Sequence, residues 1–101
     1  MRYTDLVHVI SRTALRLFWE KYPDSKAPLN RWFQIVRRTN FTSFAELRQT
    51  FPSADVVDRF TVCNIAGNKY RLVAPIQFNR GKVYIRHVLT HREYDDGAWK
   101  P

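Results

Sequence analysis

The chain of 101 residues contains a single cysteine, Cys63. That excludes an internal disulfide and any zinc site built from several cysteines, and it suits a reducing compartment. No apolar run approaches the roughly 20 residues that a membrane-crossing helix needs. Met1 to Asp5 lacks the basic-then-apolar layout of a secretory signal. There is no P-loop, no GxGxxG fingerprint and no Ser-His-Asp pattern. Internal repeats, low-complexity segments and linkers are also missing. These absences leave the expectation of a cytoplasmic protein folded as one domain over residues 1–101, with no membrane partner and no cofactor.

Acidic residues are scarce as well. Nine Asp/Glu stand against 17 Lys/Arg, for a net charge of +8. The excess is carried by the body rather than by a tail: residues 1–50 hold nine basic and four acidic residues, residues 51–101 eight and five. A basic folded body favours a polyanion partner, and nucleic acid is the commonest. Arg outnumbers Lys by twelve to five, which suits forked contacts with phosphate. With 45% hydrophobic and 15% aromatic residues, the chain can bury a modest core.

Leu6-Val7-His8-Val9-Ile10 is a short apolar run and reads as a first strand. Ser11 can cap a helix over Arg12 to Lys21, with Ala14, Leu15, Phe18 and Trp19 apolar. Tyr22-Pro23 stops it. A second helix, Pro28 to Arg38, has Leu29, Trp32, Phe33 and Val36 at helical spacing, with its proline in the first turn. Ser43 and Glu46 form a capping-box pattern for a third helix, Phe44 to Thr50, which Pro52 ends. The period then changes to two. Arg59 to Ile65, Lys69 to Phe78 and Lys82 to Leu89 read as strands, with turns at Ala66-Gly67-Asn68 and Asn79-Arg80-Gly81. Pro75 cannot donate to a ladder and predicts a bulge or an edge. The expected class is α+β: an N-terminal strand plus a three-stranded meander in a small antiparallel sheet, with two or three helices on one face.

RNA cleavage without a metal needs a base to activate the 2′-hydroxyl, cations to hold the phosphorane charge, and an acid for the leaving oxygen. Arg71 and Arg86 lie on neighbouring strands and share a face if the register allows. Taken alone, an Arg on a strand is more often solvated or salt-bridged. His91, Arg92 and Tyr94 follow the last strand, where side chains can reach over the sheet. Histidine suits either proton role, and tyrosine can stack on a base or donate a proton. Glu93 and Asp95 are expected to pair with nearby Arg. His87 and His91 are four apart but would not share a face on a strand-to-loop segment, and no third ligand is evident, so no metal site is expected. Cys63 reads as a buried small residue. The Phe18/Trp19 and Trp32/Phe33 pairs read as core. Trp99 is either disordered or docked, on the body or on RNA.

Two blocks carry a resemblance. Phe60 to Ala74 contains Gly67-Asn68-Lys69-Tyr70-Arg71-Leu72-Val73-Ala74, and Val83 to Asp95 contains Tyr84-Ile85-Arg86-His87-Val88-Leu89-Thr90-His91-Arg92-Glu93-Tyr94-Asp95. Together they resemble the HigB family of bacterial type II toxins. Weaker similarity runs through Lys21-Tyr22-Pro23, Trp32 and Phe51-Pro52, so the match covers about residues 8–96. The resemblance implies a RelE-like fold and an mRNA interferase that acts on translating ribosomes. It also implies inhibition by a cognate HigA-like helix-turn-helix antitoxin, with operator DNA reached only through that partner. It makes Arg71 a phosphate-binding residue flanked by Lys69, and puts Arg86, His91, Arg92 and Tyr94 on the active face; residue chemistry then assigns Arg71, His91 and Tyr94 to catalysis and Lys69, Lys82, Arg86 and Arg92 to holding RNA. The assignment of His91 as the base rests on residue chemistry rather than on a family rule. The competing reading is a non-catalytic RNA- or ribosome-binding module on the same basic surface. A DNA-binding regulator is disfavoured, because prolines separate the helices and a meander follows them.

Overall fold

The computed structural model describes residues 8–100. β1 (His8–Ile10) opens it; Leu6 and Val7, expected in the same strand, lie outside the described residues. α1 (Thr13–Lys21) buries Leu15 and lays Ala14, Phe18 and Trp19 against the core. It stops at Tyr22, and a single 3-10 turn, Pro23–Ser25, leads into α2 (Lys26–Arg38). Starting at Lys26 keeps Pro28 within the first turn, where its missing N–H costs no helical bond. Leu29, Trp32, Phe33 and Val36 form the buried stripe of α2. In α3 (Phe44–Thr50) the Ser43 hydroxyl accepts from the Glu46 N–H at 3.2 Å. The Glu46 carboxylate reaches back one residue further than a standard capping box, accepting from the Thr42 N–H at 2.9 Å.

The described residues hold seven strands, and the expected antiparallel meander is among them, with its second and third strands each split in two and an edge strand added. β2 (Asp55–Val57), β3 (Phe60–Ile65), β4 (Tyr70–Ala74) and β7 (His87–Thr90) make an antiparallel sheet in the order β2-β3-β4-β7. β5 (Ile76–Gln77) and β6 (Lys82–Tyr84) join β1 in a second sheet, ordered β1-β6-β5. β1 runs parallel to β6 rather than antiparallel. The chain passes through α1, α2, α3 and four strands between β1 and β6, and parallel neighbours need such a crossover.

Pro75 sets the boundary between the sheets. Val73 pairs with His87 and Ile76 with Val83, so Tyr84, Ile85 and Arg86 face only Ala74 and Pro75. That is a β-bulge. The Tyr84 N–H donates to the Pro75 carbonyl at 3.0 Å and the Arg86 N–H to the Val73 carbonyl at 2.9 Å. The proline accepts and is never asked to donate. The predicted bulge therefore exists, and it splits both long strands expected from the sequence, Lys69–Phe78 and Lys82–Leu89.

The four-stranded sheet is covered on both sides. Cys63, Ile65, Tyr70, Leu72 and Ala74 pack with α1, α2 and α3. Phe60, Val62 and Val73 pack with Trp99, Leu89 and Tyr94 on the opposite face. Helices on one face were expected, and α1–α3 meet that expectation. The second cover comes from α4 (His91–Asp96) and the Trp99 that follows it. Doubly covered strands need not alternate in polarity, and β4 is buried at every position. Trp99 is docked on the body, one of the alternatives open for it. Trp99→Ala should lower the unfolding free energy by about 3–5 kcal/mol. In hydrogen exchange the amides of 91–96 should lose protection before those of β3 and β4.

Candidate active site around the C-terminal helix

The segment after β7 was expected to be a loop. It is a helix because Thr90 and Glu93 cap each other. The Thr90 hydroxyl accepts from the Glu93 N–H at 3.1 Å, and the Glu93 carboxylate accepts from the Thr90 N–H at 2.9 Å. Gly97, at φ 76°, stops the helix in a left-handed turn, a conformation glycine adopts without strain. The signal was legible: Thr90-x-x-Glu93 is the pattern that marked the start of α3, and a glycine follows at the right distance.

Helical geometry brings His91 and Asp95, four residues apart, to one side of α4. His91 Nδ1 lies 2.7 Å from Asp95 Oδ2, one turn away. Glu93 caps the helix and Asp95 holds His91; the arginine pairs expected for these two acids are replaced by these contacts. The carboxylate engages Nδ1, so Nε2 is the His91 nitrogen left to exchange a proton. The His91 side chain is 43% exposed, and Arg92 is exposed beside it.

Tyr94 packs onto the sheet. Its ring stacks on Trp99 with centroids 5.1 Å apart and planes 14° from parallel. The Trp99 indole N–H donates to the Tyr94 carbonyl at 2.9 Å and its ring meets Phe60 edge-on at 5.9 Å. A guanidinium closes each end of this row. Arg71 lies 5.5 Å from the Tyr94 centroid and Arg86 5.9 Å from that of Phe60. The register thus brings Arg71 and Arg86 to one face, as the sequence allowed. Phe60 is four residues along β3 from Asn64, the partner of Arg71, so the two guanidinium groups serve points roughly 13 Å apart.

Arg71 is only 8% exposed. Its Nη1 donates to the Asn68 carbonyl at 3.0 Å and the Tyr70 carbonyl at 3.2 Å, and its Nη2 to the Asn68 side-chain oxygen at 2.6 Å. It ties the β3–β4 turn to α4. Lys69, on the same turn, is linked to α4 through its carbonyl, which accepts from the His91 N–H at 3.1 Å. Its ammonium is ion-paired with Asp24 on the 3-10 turn, and the Tyr70 hydroxyl donates to the same carboxylate at 2.6 Å. Asp24 was not singled out in the sequence, and no local pattern links it to residues 45 and 46 positions away.

Lys82 is not part of this cluster. It opens β6 opposite Gln77, and eight residues of extended chain separate it from Thr90, up to about 26 Å. His87 sits beside Val73 in the register at the start of β7, four residues before His91. Burial, then the nearby Arg86 charge, holds its imidazole below the ordinary histidine range. Burial pushes the Cys63 thiol up to about 11, against a smaller opposing effect of Trp32, which suits a buried small residue rather than a nucleophile. Among the described residues no three His, Cys, Asp or Glu side chains group closely enough to hold a metal ion. No helix of the described residues is long and apolar enough to cross a membrane.

Fold and site together define a small basic α+β protein of the RelE-like kind, with helices against an antiparallel sheet and a capped C-terminal helix behind it. The sequence model of the HigB toxins, the RelE-like toxic component of a toxin–antitoxin system, matches residues 25–97. The chain belongs to this family. An mRNA interferase toxin HigB of Escherichia coli strain K12 is 38% identical over 92 residues, covering 88% of each chain. The mRNA interferase HigB of Shigella flexneri has the same identity and coverage. That of Escherichia coli O6:H1 (strain CFT073) is 28% identical over 92 residues, covering 88% of this chain and 89% of the relative. A toxic component of such a system has an antitoxin as its partner.

The Asp24 cluster has a pH signature. The Lys69 hydrogen bond first, and then the Tyr70 hydroxyl, holds the Asp24 carboxyl below its ordinary value of 3.8. A carboxyl with a depressed folded-state pKa stabilises the fold fully above its unfolded value, and that contribution disappears as pH falls through the folded value. In thermal melts across pH, Asp24→Asn should lower the melting temperature at neutral pH, where the parent holds this contribution in full, and should flatten the loss of stability below about pH 4 so that the two converge in acid.

Proposed function

We propose that this toxin is a metal-independent mRNA endoribonuclease that acts on translating ribosomes and is restrained by a HigA-like antitoxin. The observation that carries the reading is that one short helix, α4, holds His91 against Asp95 and, three residues on, sets the Tyr94 ring against the Arg71 guanidinium of β4. The ribose 2′-hydroxyl attacks the adjacent phosphorus and the 5′-oxygen leaves, giving a 2′,3′-cyclic phosphate and a 5′-hydroxyl. His91, held at Nδ1 by Asp95, accepts the 2′-hydroxyl proton through Nε2. Tyr94, whose ring is held between Trp99 and Arg71, donates its hydroxyl proton to the leaving oxygen. Arg71 offsets the charge that builds on the phosphate oxygens, while Lys69, Arg86 and Arg92 line the approach of the strand. Lys82 holds RNA only at a distance from the reacting phosphate. Each of the relatives described above is named an mRNA interferase, which supports this substrate.

Arg71 has two tasks in this account, charge stabilisation and retention of α4, and they separate experimentally. Induced in bacteria without its antitoxin, the parent chain should arrest growth and shorten mRNA. His91→Ala should reduce cleavage on ribosome-bound mRNA by about 10²–10⁴-fold with little change in melting temperature. Arg71→Ala should lose both activity and stability. If both variants remain as toxic as the parent at equal expression, the site is misassigned. If ribosome binding persists in the parent with no cleavage product, the protein is a binding module.

A further inference from the structure

The charge of this molecule is distributed unevenly over its surface. Residues 12–38, which form α1, the 3-10 turn and α2, contain seven Lys/Arg and two Asp/Glu. Residues 84–100, which contain α4, carry three of each. Most of the basic excess therefore lies in the helical layer, across the sheet from Tyr94.

Between α1 and α2 this layer opens into a groove of about 400 Å³. Its two banks carry the same spacing. Arg12, Arg16 and Trp19 line it at steps of four and three along the start and body of α1; Asn30 and Phe33 line it along α2, and Lys26, four residues before Asn30, stands at its rim just outside the lining. Each cation crosses to the aromatic ring of the opposite bank. The Arg12 guanidinium lies 4.4 Å from the Phe33 centroid, and the Lys26 ammonium 5.8 Å from that of Trp19. The helices run antiparallel, so these two steps stand at opposite ends of the groove, about 10 Å apart along the axis. Arg16 lies between them, in an exposed pair with Glu20 at 3.3 Å; a pair of that kind contributes little and exchanges readily for another anion.

The floor decides what fits. Leu15 and Phe33 are only 3% and 5% exposed, so a peptide helix laid in the groove would find little apolar surface to bury. The groove offers fixed cations at its ends, an amide and a guanidinium between them, and the partly open Trp19 ring. A single phosphate cannot span 10 Å, whereas successive phosphates of a chain can. We infer that the α1–α2 groove is a second RNA-binding surface that takes the phosphodiester backbone, separate from α4, and contributes affinity rather than chemistry. The inference rests on the RNA reading of this toxin and adds to it a partner surface.

The test uses the full chain and a fluorescent 2′-O-methyl RNA hairpin, which the proposed reaction cannot cut. Binding is followed by anisotropy over a range of salt concentrations. Arg12→Gln with Lys26→Gln should lower the slope of log affinity against log salt by about 1.5–2. It should raise the KM for ribosome-bound mRNA and leave kcat unchanged. Arg48→Gln, an exposed cation on α3 outside the groove, should leave the slope as it is. In the unmodified protein the hairpin should shield Lys26 from acylation, a readout that needs no variant to fold. An unchanged slope, or equal Lys26 labelling with and without hairpin, overturns the proposal. An unchanged slope with loss of antitoxin binding assigns the groove to a protein partner instead. Because the hairpin is not cleaved, failure of the catalytic reading leaves this result intact.

Discussion

The line of contacts from Arg86 through Phe60, Trp99 and Tyr94 to Arg71 fixes α4 on the sheet. A helix of six residues is far too short to persist in water on its own, since nucleation is costly and each later bond returns little. Three local devices hold it: the Thr90/Glu93 capping box, the Gly97 stop and the Trp99 indole bonded to the Tyr94 carbonyl. The row of rings supplies the tertiary contact that makes these sufficient, and a guanidinium faces the ring at each end. The His91–Asp95 pair owes its position to this arrangement.

The same constraint explains why Arg71 is buried. An arginine can be buried when its donors are satisfied, and three hydrogen bonds to Asn68 and Tyr70 accomplish that. The Gly67-Asn68-Lys69-Tyr70-Arg71 stretch is therefore a structural unit as well as a proposed part of the active site. Asn68 closes the turn, Arg71 clamps it, and Lys69 and Tyr70 anchor it to the 3-10 turn through Asp24. One short loop thus couples the helical layer to the C-terminal helix. The proposed division of labour follows that coupling, with proton transfer on α4 and part of the backbone grip in the basic groove between α1 and α2.

Much of this was legible in the sequence, where the physics is local. The three amphipathic helices, their proline stops and the bulge at Pro75 follow from periodicity and from the missing proline donor. The apolar placement of Phe18, Trp19, Trp32 and Phe33 was legible for the same reason. The HigB resemblance in the last third specified the family. Other features were hidden because their causes are nonlocal. The parallel pairing of β1 with β6 depends on a crossover, and the Asp24 anchor on a contact across 45 positions. The second cover of the sheet had a local sign, the Thr90-x-x-Glu93 box. The apolar alternation of Tyr84 to Leu89 continued into it and made the helix start resemble the end of a strand. The candidate site was legible as a set of residue types. Its geometry was not, because a change from loop to helix moves Tyr94 inward and pairs His91 with Asp95.

The end groups left on cut mRNA test the central claim most directly. Ribosomes programmed with a defined message are treated with the toxin, and the new ends are determined chemically. Attack by the 2′-hydroxyl predicts a 2′,3′-cyclic or 3′-phosphate on the upstream fragment and a 5′-hydroxyl on the downstream one. A 3′-hydroxyl with a 5′-phosphate would mean that water was the nucleophile, and would contradict the roles given to His91, Tyr94 and Arg71.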